Sequence, residues 1–290
     1  MLCNSTVFSD MKHTAEIYGV DMTVPCVMAV VNVTPDSFYA ASRTMERDAL
    51  LRRVEEVVDE GCSIIDIGGY SSRPGADDVP ADEEWRRVET GIRCVREVSP
   101  DIPISVDTFR ADIALRAIES TQAVIINDIS AGEIDERMVE TVIAADVPYV
   151  AMHMRGTPAS MQQSCGYDDV ATDVAAWLGA KAGELMSRGM RAERIILDAG
   201  FGFAKSTDEC FALLAGLHKV CEKGYPVVAG LSRKSMIYKT VGATPEECFA
   251  GTAALNWEAL RQGAKILRVH DVREAVDTIR LFNRYKENMQ

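Results

Sequence analysis

The chain has 290 residues, of which 47% are hydrophobic, enough to bury a large core and to exclude a disordered chain. Its 31 basic and 44 acidic residues leave a net charge of −13 and a pI near 4.9, which repels phosphate backbones and anionic lipid and so argues against nucleic-acid or membrane partners. A small anionic substrate stays allowed, because local Lys and Arg override the global field within a Debye length.

The eight cysteines, Cys3, Cys26, Cys62, Cys94, Cys165, Cys210, Cys221 and Cys248, include no C-x-x-C pair and no zinc-ligand spacing. They read as free thiols in a reducing compartment. The amino terminus has no basic-then-apolar signal pattern, and no apolar run reaches membrane-spanning length. The expectation is a cytoplasmic protein.

Residues 1–24 read as an amino-terminal extension, with a strand or hairpin within Tyr18–Val24. From residue 25 to 290, strand and helix patterns alternate as one barrel domain. Val27–Val31 is apolar on both faces and stops at Asn32, Thr34 and Pro35, the pattern of a buried parallel strand. A helix over 45–60 follows, with Gly61 as its stop. Ser63–Ile67 is the second strand, leading into Gly68, Gly69 and a turn through Ser72, Arg73 and Pro74. A helix over 82–98 has Asp82 as its expected N-cap. The third strand, 104–106, ends at Asp107. A helix over 111–119 precedes the fourth strand, 124–126, which ends at Asn127 and Asp128. A helix over 135–145 precedes the fifth, Pro148–Met152, which ends at His153. A long helix over 167–188 leads to the sixth, 194–197, which ends at Asp198 and runs into Gly200, Gly202 and Phe203. A helix over 207–223 leads to the seventh, 226–229, which ends at Gly230 and the turn Ser232-Arg233-Lys234-Ser235. A helix over 245–262 leads to the eighth, 264–267, followed by Arg268, His270 and a last helix over 271–285.

Eight strand–helix units without a composition break predict an α/β fold, a (β/α)8 TIM barrel, in preference to an open doubly wound sheet. Barrel closure then gathers the residues at the strand ends around one mouth: Asn32, Ser72 with Arg73, Asp107, Asn127, His153, Asp198, Lys234, and Arg268 with His270. Buried Asp at a strand end needs donors. Either a flat heterocycle with an amino-imino edge supplies them, or a helix start or a neighbouring Lys or Arg does. Arg268 and the 232–235 turn follow the eighth and seventh strands, where barrels often hold phosphate, and Ser235 at a helix start suits an anion. The bland alternative for Arg268 is a salt bridge to an acid at the mouth. His153 reads as a satisfied rim residue and His218 as a surface or packing residue. No dinucleotide fingerprint, P-loop or evident nucleophile–histidine pair occurs.

The strand-end motifs Asn32-Val33-Thr34-Pro35-Asp36-Ser37-Phe38, Ser71-Ser72-Arg73-Pro74-Gly75-Ala76, Ser105-Val106-Asp107-Thr108, Ile126-Asn127-Asp128-Ile129, Asp198-Ala199-Gly200-Phe201-Gly202-Phe203, Gly230-Leu231-Ser232-Arg233-Lys234-Ser235 and Arg268-Val269-His270-Asp271 occur in one order over about residues 25–285. In this the chain resembles the dihydropteroate synthases, the folate-pathway enzymes targeted by sulfonamides. The resemblance implies a barrel that joins 6-hydroxymethyl-7,8-dihydropterin pyrophosphate to para-aminobenzoate. By motif position it implies pterin binding at Asp107, Asn127, Asp198 and Lys234, with Met152, Phe203 and Gly230 at the same mouth. It implies pyrophosphate binding at Asn32, Arg268 and His270, with Mg2+ near Asn32. Phe38, Pro74 and Ser235 look like the para-aminobenzoate pocket, and Thr34–Phe38 and Ser72–Gly75 like loops that close over it. Asp107, Lys234, Arg268 and His270 are the implied catalytic set. The resemblance also implies a homodimer through helices outside the barrel. Ser72, Ala199 and Ala204 depart from the family's usual Thr, Pro and Gly, and the first 24 residues carry no family motif.

Overall fold

The computed structural model describes residues 13–33, 43–71, 78–158, 160–161 and 164–288. A short antiparallel hairpin, β1 (Glu16–Ile17) and β2 (Val20–Asp21), precedes eight parallel strands. These are β3 (Cys26–Asn32), β4 (Ile64–Gly68), β5 (Ile104–Asp107), β6 (Val124–Asp128), β7 (Tyr149–Met152), β8 (Ile195–Asp198), β9 (Val227–Ala229) and β10 (Ile266–Val269), closed in that order with β10 pairing β3. The helices between them are α1 (Arg43–Asp59), α2 (Ala81–Val98), α3 (Ala111–Ser120), α4 (Arg137–Ala144), α5 (Val170–Ser187), α6 (Thr207–Ala215), α7 (His218–Cys221), α8 (Ser235–Val241) and α9 (Phe249–Arg261), with α10 (Val272–Glu287) last. The result is the TIM barrel that the alternation predicts.

Side chains alternate along each strand, so every second residue enters the barrel. Cys26, Met28, Ile64, Ile125, Val150, Ile196, Val228 and Ile266 form one buried interior cluster. Ile17 and Met22 of the hairpin join that cluster, both fully buried, and close the end where the strands begin. Thr14 and Tyr18 fasten the hairpin there by donating to the Ile195 and Val124 carbonyls, at 3.4 and 3.1 Å. The alternate residues pack outward against the helices in a second, larger core. Among the described residues, the hairpin plugs the end where the strands begin, and the carboxyl ends of the strands form the mouth.

Several local expectations are corrected. Asp82 does not cap α2: the helix begins at Ala81, preceded by Pro80 in an extended conformation, and Asp82, Glu83 and Glu84 lie in its first turn, where the helix dipole favours acids. The 167–188 helix begins at Val170, because the Asp169 carboxylate accepts from the Thr172 N–H and fixes the start there. The 207–223 helix divides at Gly216, which ends α6 and meets α5 so closely that a Cβ would lie 2.5 Å from the Ala171 Cβ. The 245–262 helix divides at Cys248, where a capped 3-10 turn, Pro245–Glu247, precedes α9. The turn after β9 continues directly into α8, whose first residue is Ser235, the helix start expected there.

Candidate active site

The inward alternation carries Asn32, Gly68, Asp107, Asn127, Met152, Asp198, Gly230 and Arg268 to the open end of the barrel; strand pairing sets Asn32 beside Gly68, Gly68 beside Asp107, Asp107 beside Asn127, and Met152 beside Asp198. One layer deeper lies Asp66, fully buried, which the sequence reading passed over. Its Oδ2 accepts from Arg268 Nε at 2.7 Å and Nη2 at 2.6 Å, and its Oδ1 accepts from Asn127 Nδ2 at 3.3 Å. Arg268 Nη2 also donates to Asp107 Oδ2 at 2.7 Å. Arg268 is therefore clamped between two carboxylates, one below it and one at the mouth. Burial opposes its charge, yet Asp66 and Asp107 outweigh burial and push its pKa up. Its Nη1 makes no hydrogen bond among the described residues and stays available to a ligand.

Asp107 has its pKa raised by burial, against Arg268 and with Asp66. Asp198 is also raised by burial, although the Gly200 N–H donates to its Oδ1 at 2.7 Å and Lys234 lies near enough to oppose the shift. That is the only hydrogen bond to its carboxylate among the described residues, so the second carboxylate oxygen is open to a donor. Asp128, next to Asn127, faces outward and is structural: it accepts from the N–H groups of Ser130 and Gly132 and from Tyr149 Oη, at 2.7–2.8 Å. Alternation thus separates two adjacent polar residues into one that faces the mouth and one that ties a loop.

Lys234 precedes α8 and reaches across to the loop after β8, where its ammonium donates to the Phe201 carbonyl and stands 4.6 Å from the Phe203 ring centre. Burial lowers its pKa to about 8, against the pull of Asp198. Phe203 joins Met152, Met154, Met161, Ile129, Ala204 and Phe109 in an apolar cluster beside the polar ring. A flat heterocycle can lie on such a shelf while its edge meets Asp198 and Asn127. The loop itself is forced: Gly200 has φ +67, and a Cβ there would fall 2.0 Å from the His153 carbonyl oxygen. We expect Gly200→Ala to destabilise the fold by about 2–3 kcal/mol or more. Urea unfolding would measure it, and an Ala variant as stable as the parent would mean that the loop rebuilds freely.

His270 belongs to another part of the mouth. Its Nδ1 lies 3.1 Å from Ser232 Oγ, and its carbonyl accepts from Arg53 of α1. Together with Asn32, Arg53 and Arg233 it lines a groove of about 410 Å³ between α1 and α10. Arg268 turns into the barrel toward Asp66 and Asp107, while the His270 ring meets Ser232 in the turn after β9. Asn32 is half-buried and makes no side-chain hydrogen bond among the described residues. Ser235 is the first residue of α8, and Gly230 leaves open space where a Cβ would stand. Thr34, Phe38, Ser72, Arg73 and Pro74 lie outside the described residues.

Two further residues, neither of them singled out in the sequence, stand behind the mouth. Glu84 of α2, fully buried, accepts from Thr108 Oγ1 at 2.6 Å and pairs with Arg110, fixing the loop that follows Asp107. Lys205 is 3% exposed and meets His153. His153 is a satisfied rim residue, packed edge-on against Trp177 at 5.0 Å, and His218 Nδ1 lies 2.9 Å from Gln262 Oε1 in an outer helix.

A closed parallel barrel with this ring of Asp, Asn, Asp and Lys at its mouth defines a class, and the chain belongs to it: the profile of the family described as pterin binding enzyme matches residues 28–270. Several of its relatives are dihydropteroate synthases. The dihydropteroate synthase of Haemophilus influenzae is 40% identical over 272 residues, covering 94% of this chain and 98% of that one. The dihydropteroate synthase of Xanthomonas albilineans solved with 4-aminobenzoic acid superposes with a TM-score of 0.86 at 36% identity, covering 96% of this chain and 99% of that one. The same enzyme in complex with 7,8-dihydropteroate gives 0.82 at 35% identity, covering 92% and 95%. No helix among the described residues is long and apolar enough to cross a membrane.

Proposed function

We infer that this site joins 6-hydroxymethyl-7,8-dihydropterin pyrophosphate to para-aminobenzoate, giving 7,8-dihydropteroate and pyrophosphate, the dihydropteroate synthase reaction of folate biosynthesis. The observation that carries the reading is the mouth layer of Asp107, Asn127 and Asp198 beside the Met152–Phe203 shelf, a polar edge and an apolar face set for a flat amino-imino heterocycle. In the reaction the methylene C–O bond breaks with its electron pair going to pyrophosphate. The arylamine nitrogen then forms the C–N bond and releases a proton. Loss of pyrophosphate first leaves a benzylic-like cation, whose charge the Asp107 carboxylate offsets. The arylamine is neutral at pH 7, so no strong base is needed to make the nucleophile. Excluding water from the mouth protects the cation from hydrolysis.

Arg268 Nη1 and His270 are the groups we assign to the departing pyrophosphate. Mg2+ fits the donor set present. Among the described residues no cluster of three His, Cys, Asp or Glu could hold a metal, while the Asn32 side-chain oxygen is a hard donor. Mg2+ keeps most of its shell as water and substrate phosphate oxygens, so Asn32 would add one protein oxygen, and the ion when bound would neutralise pyrophosphate charge. We also propose a homodimer. Among the described residues, α8, α9 and α10 expose Val241, Phe249, Leu281 and Tyr285, a concentration of large apolar side chains suited to a second copy. A reducing, cytoplasmic setting suits the seven described cysteines, all free.

The test is turnover with the dihydropterin pyrophosphate, para-aminobenzoate and Mg2+, following both products. Equal appearance of pyrophosphate and dihydropteroate is expected. Binding of the pterin without either product would overturn the reading in favour of a carrier.

A further inference from the structure

Lys205 is a buried ammonium without a carboxylate partner among the described residues. Its donors go to Gly200 O and Phe203 O at 3.0 Å each and to His153 Nδ1 at 3.0 Å, with His153 O at 3.4 Å. Desolvating a cation is costly, so so complete a burial needs a return elsewhere. The two loop carbonyls belong to a stretch in an unusual conformation: Gly200, Gly202 and Ala204 all have positive φ, at +67, +80 and +51. Between them, Phe201 offers its carbonyl to Lys234 and Phe203 offers its ring. The ammonium therefore grips this loop from behind while its front surface faces the mouth.

The other end of the grip is rigid. His153 follows β7, its N–H donates to Asp198 O at 3.0 Å, and its ring is wedged against Trp177 of α5. When the lysine is charged it can only donate to Nδ1, which places the imidazole proton on Nε2. Burial first, and then the Lys205 charge, keep this histidine neutral, with its pKa lowered to about 3. Burial likewise lowers Lys205 to about 7. Neither group faces the reacting atoms, so neither has a place in the chemistry above.

We propose that Lys205 and His153 form a positioning pair that holds the Gly200–Ala204 loop in the shape that presents Phe203 and Lys234 to the pterin. The pair acts on pterin recognition through those two residues and leaves the arylamine side alone. This inference rests on the synthase reading.

The experiment compares the parent enzyme with Lys205→Met, which keeps the chain length and removes the ammonium, and with His153→Phe, which keeps the ring against Trp177 and removes the Nδ1 acceptor. Steady-state constants for both substrates would be read alongside the thermal midpoint and the dissociation constant of oxidised 6-hydroxymethylpterin. We expect Lys205→Met to raise the KM for the pterin substrate at least about tenfold, the gap between a held and an unheld polar contact. The KM for para-aminobenzoate should stay within about threefold, a contrast that follows from the same contact energies. His153→Phe should move in the same direction by less, and the double variant should be no worse than Lys205→Met alone. If Lys205→Met fails to fold, His153→Phe carries the same comparison. A folded variant with parental pterin affinity, or with both KM values raised equally, would overturn the proposal while leaving an active parent enzyme and the synthase reading intact. A parent enzyme that neither binds the pterin nor turns over would overturn both.

Discussion

Arg268→Met should cost turnover at least about 10²-fold, as expected for loss of a preorganised charge partner, and should also destabilise the fold by about 3–5 kcal/mol, because it strands a buried carboxylate. The two losses have different causes and should separate. Asp66 has no solvent exposure, and two guanidinium nitrogens reach its Oδ2 at 2.6–2.7 Å. Asn127 alone, at 3.3 Å, cannot compensate a full charge there. Adding Asp66→Asn to Arg268→Met removes the stranded charge and keeps an oxygen for Asn127 Nδ2. The double variant should regain most of the stability and none of the turnover, since Arg268 Nη1 and the Asp107 counter-charge remain lost. Urea unfolding and steady-state kinetics on the three variants decide it. A single Arg268→Met as stable as the parent would mean that the clamp contributes no net stability. A double variant that regains turnover would remove Arg268 from the reaction.

That clamp also shows where the sequence is legible and where it stops. The barrel was readable because each strand is an apolar run with a polar residue at its end, and eight such units admit few closures. The mouth was readable for the same reason: Asp107, Asn127, Asp198 and Arg268 all sit at strand termini. Asp66 was missed because it lies inside an apolar run, Ile64-Ile65-Asp66-Ile67, where attention goes to the stop and not to the interior. Alternation held the signal, since Ile64, Asp66 and Gly68 share the inward face. Asp82 misled because an acid before an apolar pattern suits both an N-cap and a first turn, and only the extended Pro80 backbone decides between them. Lys205 carries no periodic signal at all. Its partners are two carbonyls of a strained loop and a histidine 52 positions away, and such a contact is set by the path of the folded chain. Arg268 and His270 are two residues apart and so share a strand face, but the strand has ended by His270, and its side chain follows the loop toward Ser232.

The expected result for Lys234→Met is a fall in kcat/KM for the pterin substrate of about 10²–10³, the usual effect of deleting one preorganised donor in a desolvated site. The fall should come with a changed pH profile. Burial lowers the Lys234 pKa to about 8, so the ammonium is present below that pH and is lost as pH rises through it. Burial raises Asp198 above the usual carboxylate range and raises Asp107 to about 7, so their charged acceptors are lost as pH falls. The profile of kcat/KM reports groups of the free enzyme, and it should therefore be bell-shaped, with its alkaline limb near pH 8. Lys234→Met should keep the acidic limb and lose the alkaline one. Lys205 also titrates near neutrality, but it remains in the variant, so whatever limb disappears belongs to Lys234. Lys234→Arg holds its charge at all these pH values and should likewise lack the alkaline limb, but its planar fork cannot reproduce a single ammonium over the Phe203 ring, so its plateau should stay well below the parent's. A Met variant that retains the alkaline limb would assign that limb to Lys205 or to the substrate. Lys234 would then be a charge that shapes the pocket without changing protonation in the working range.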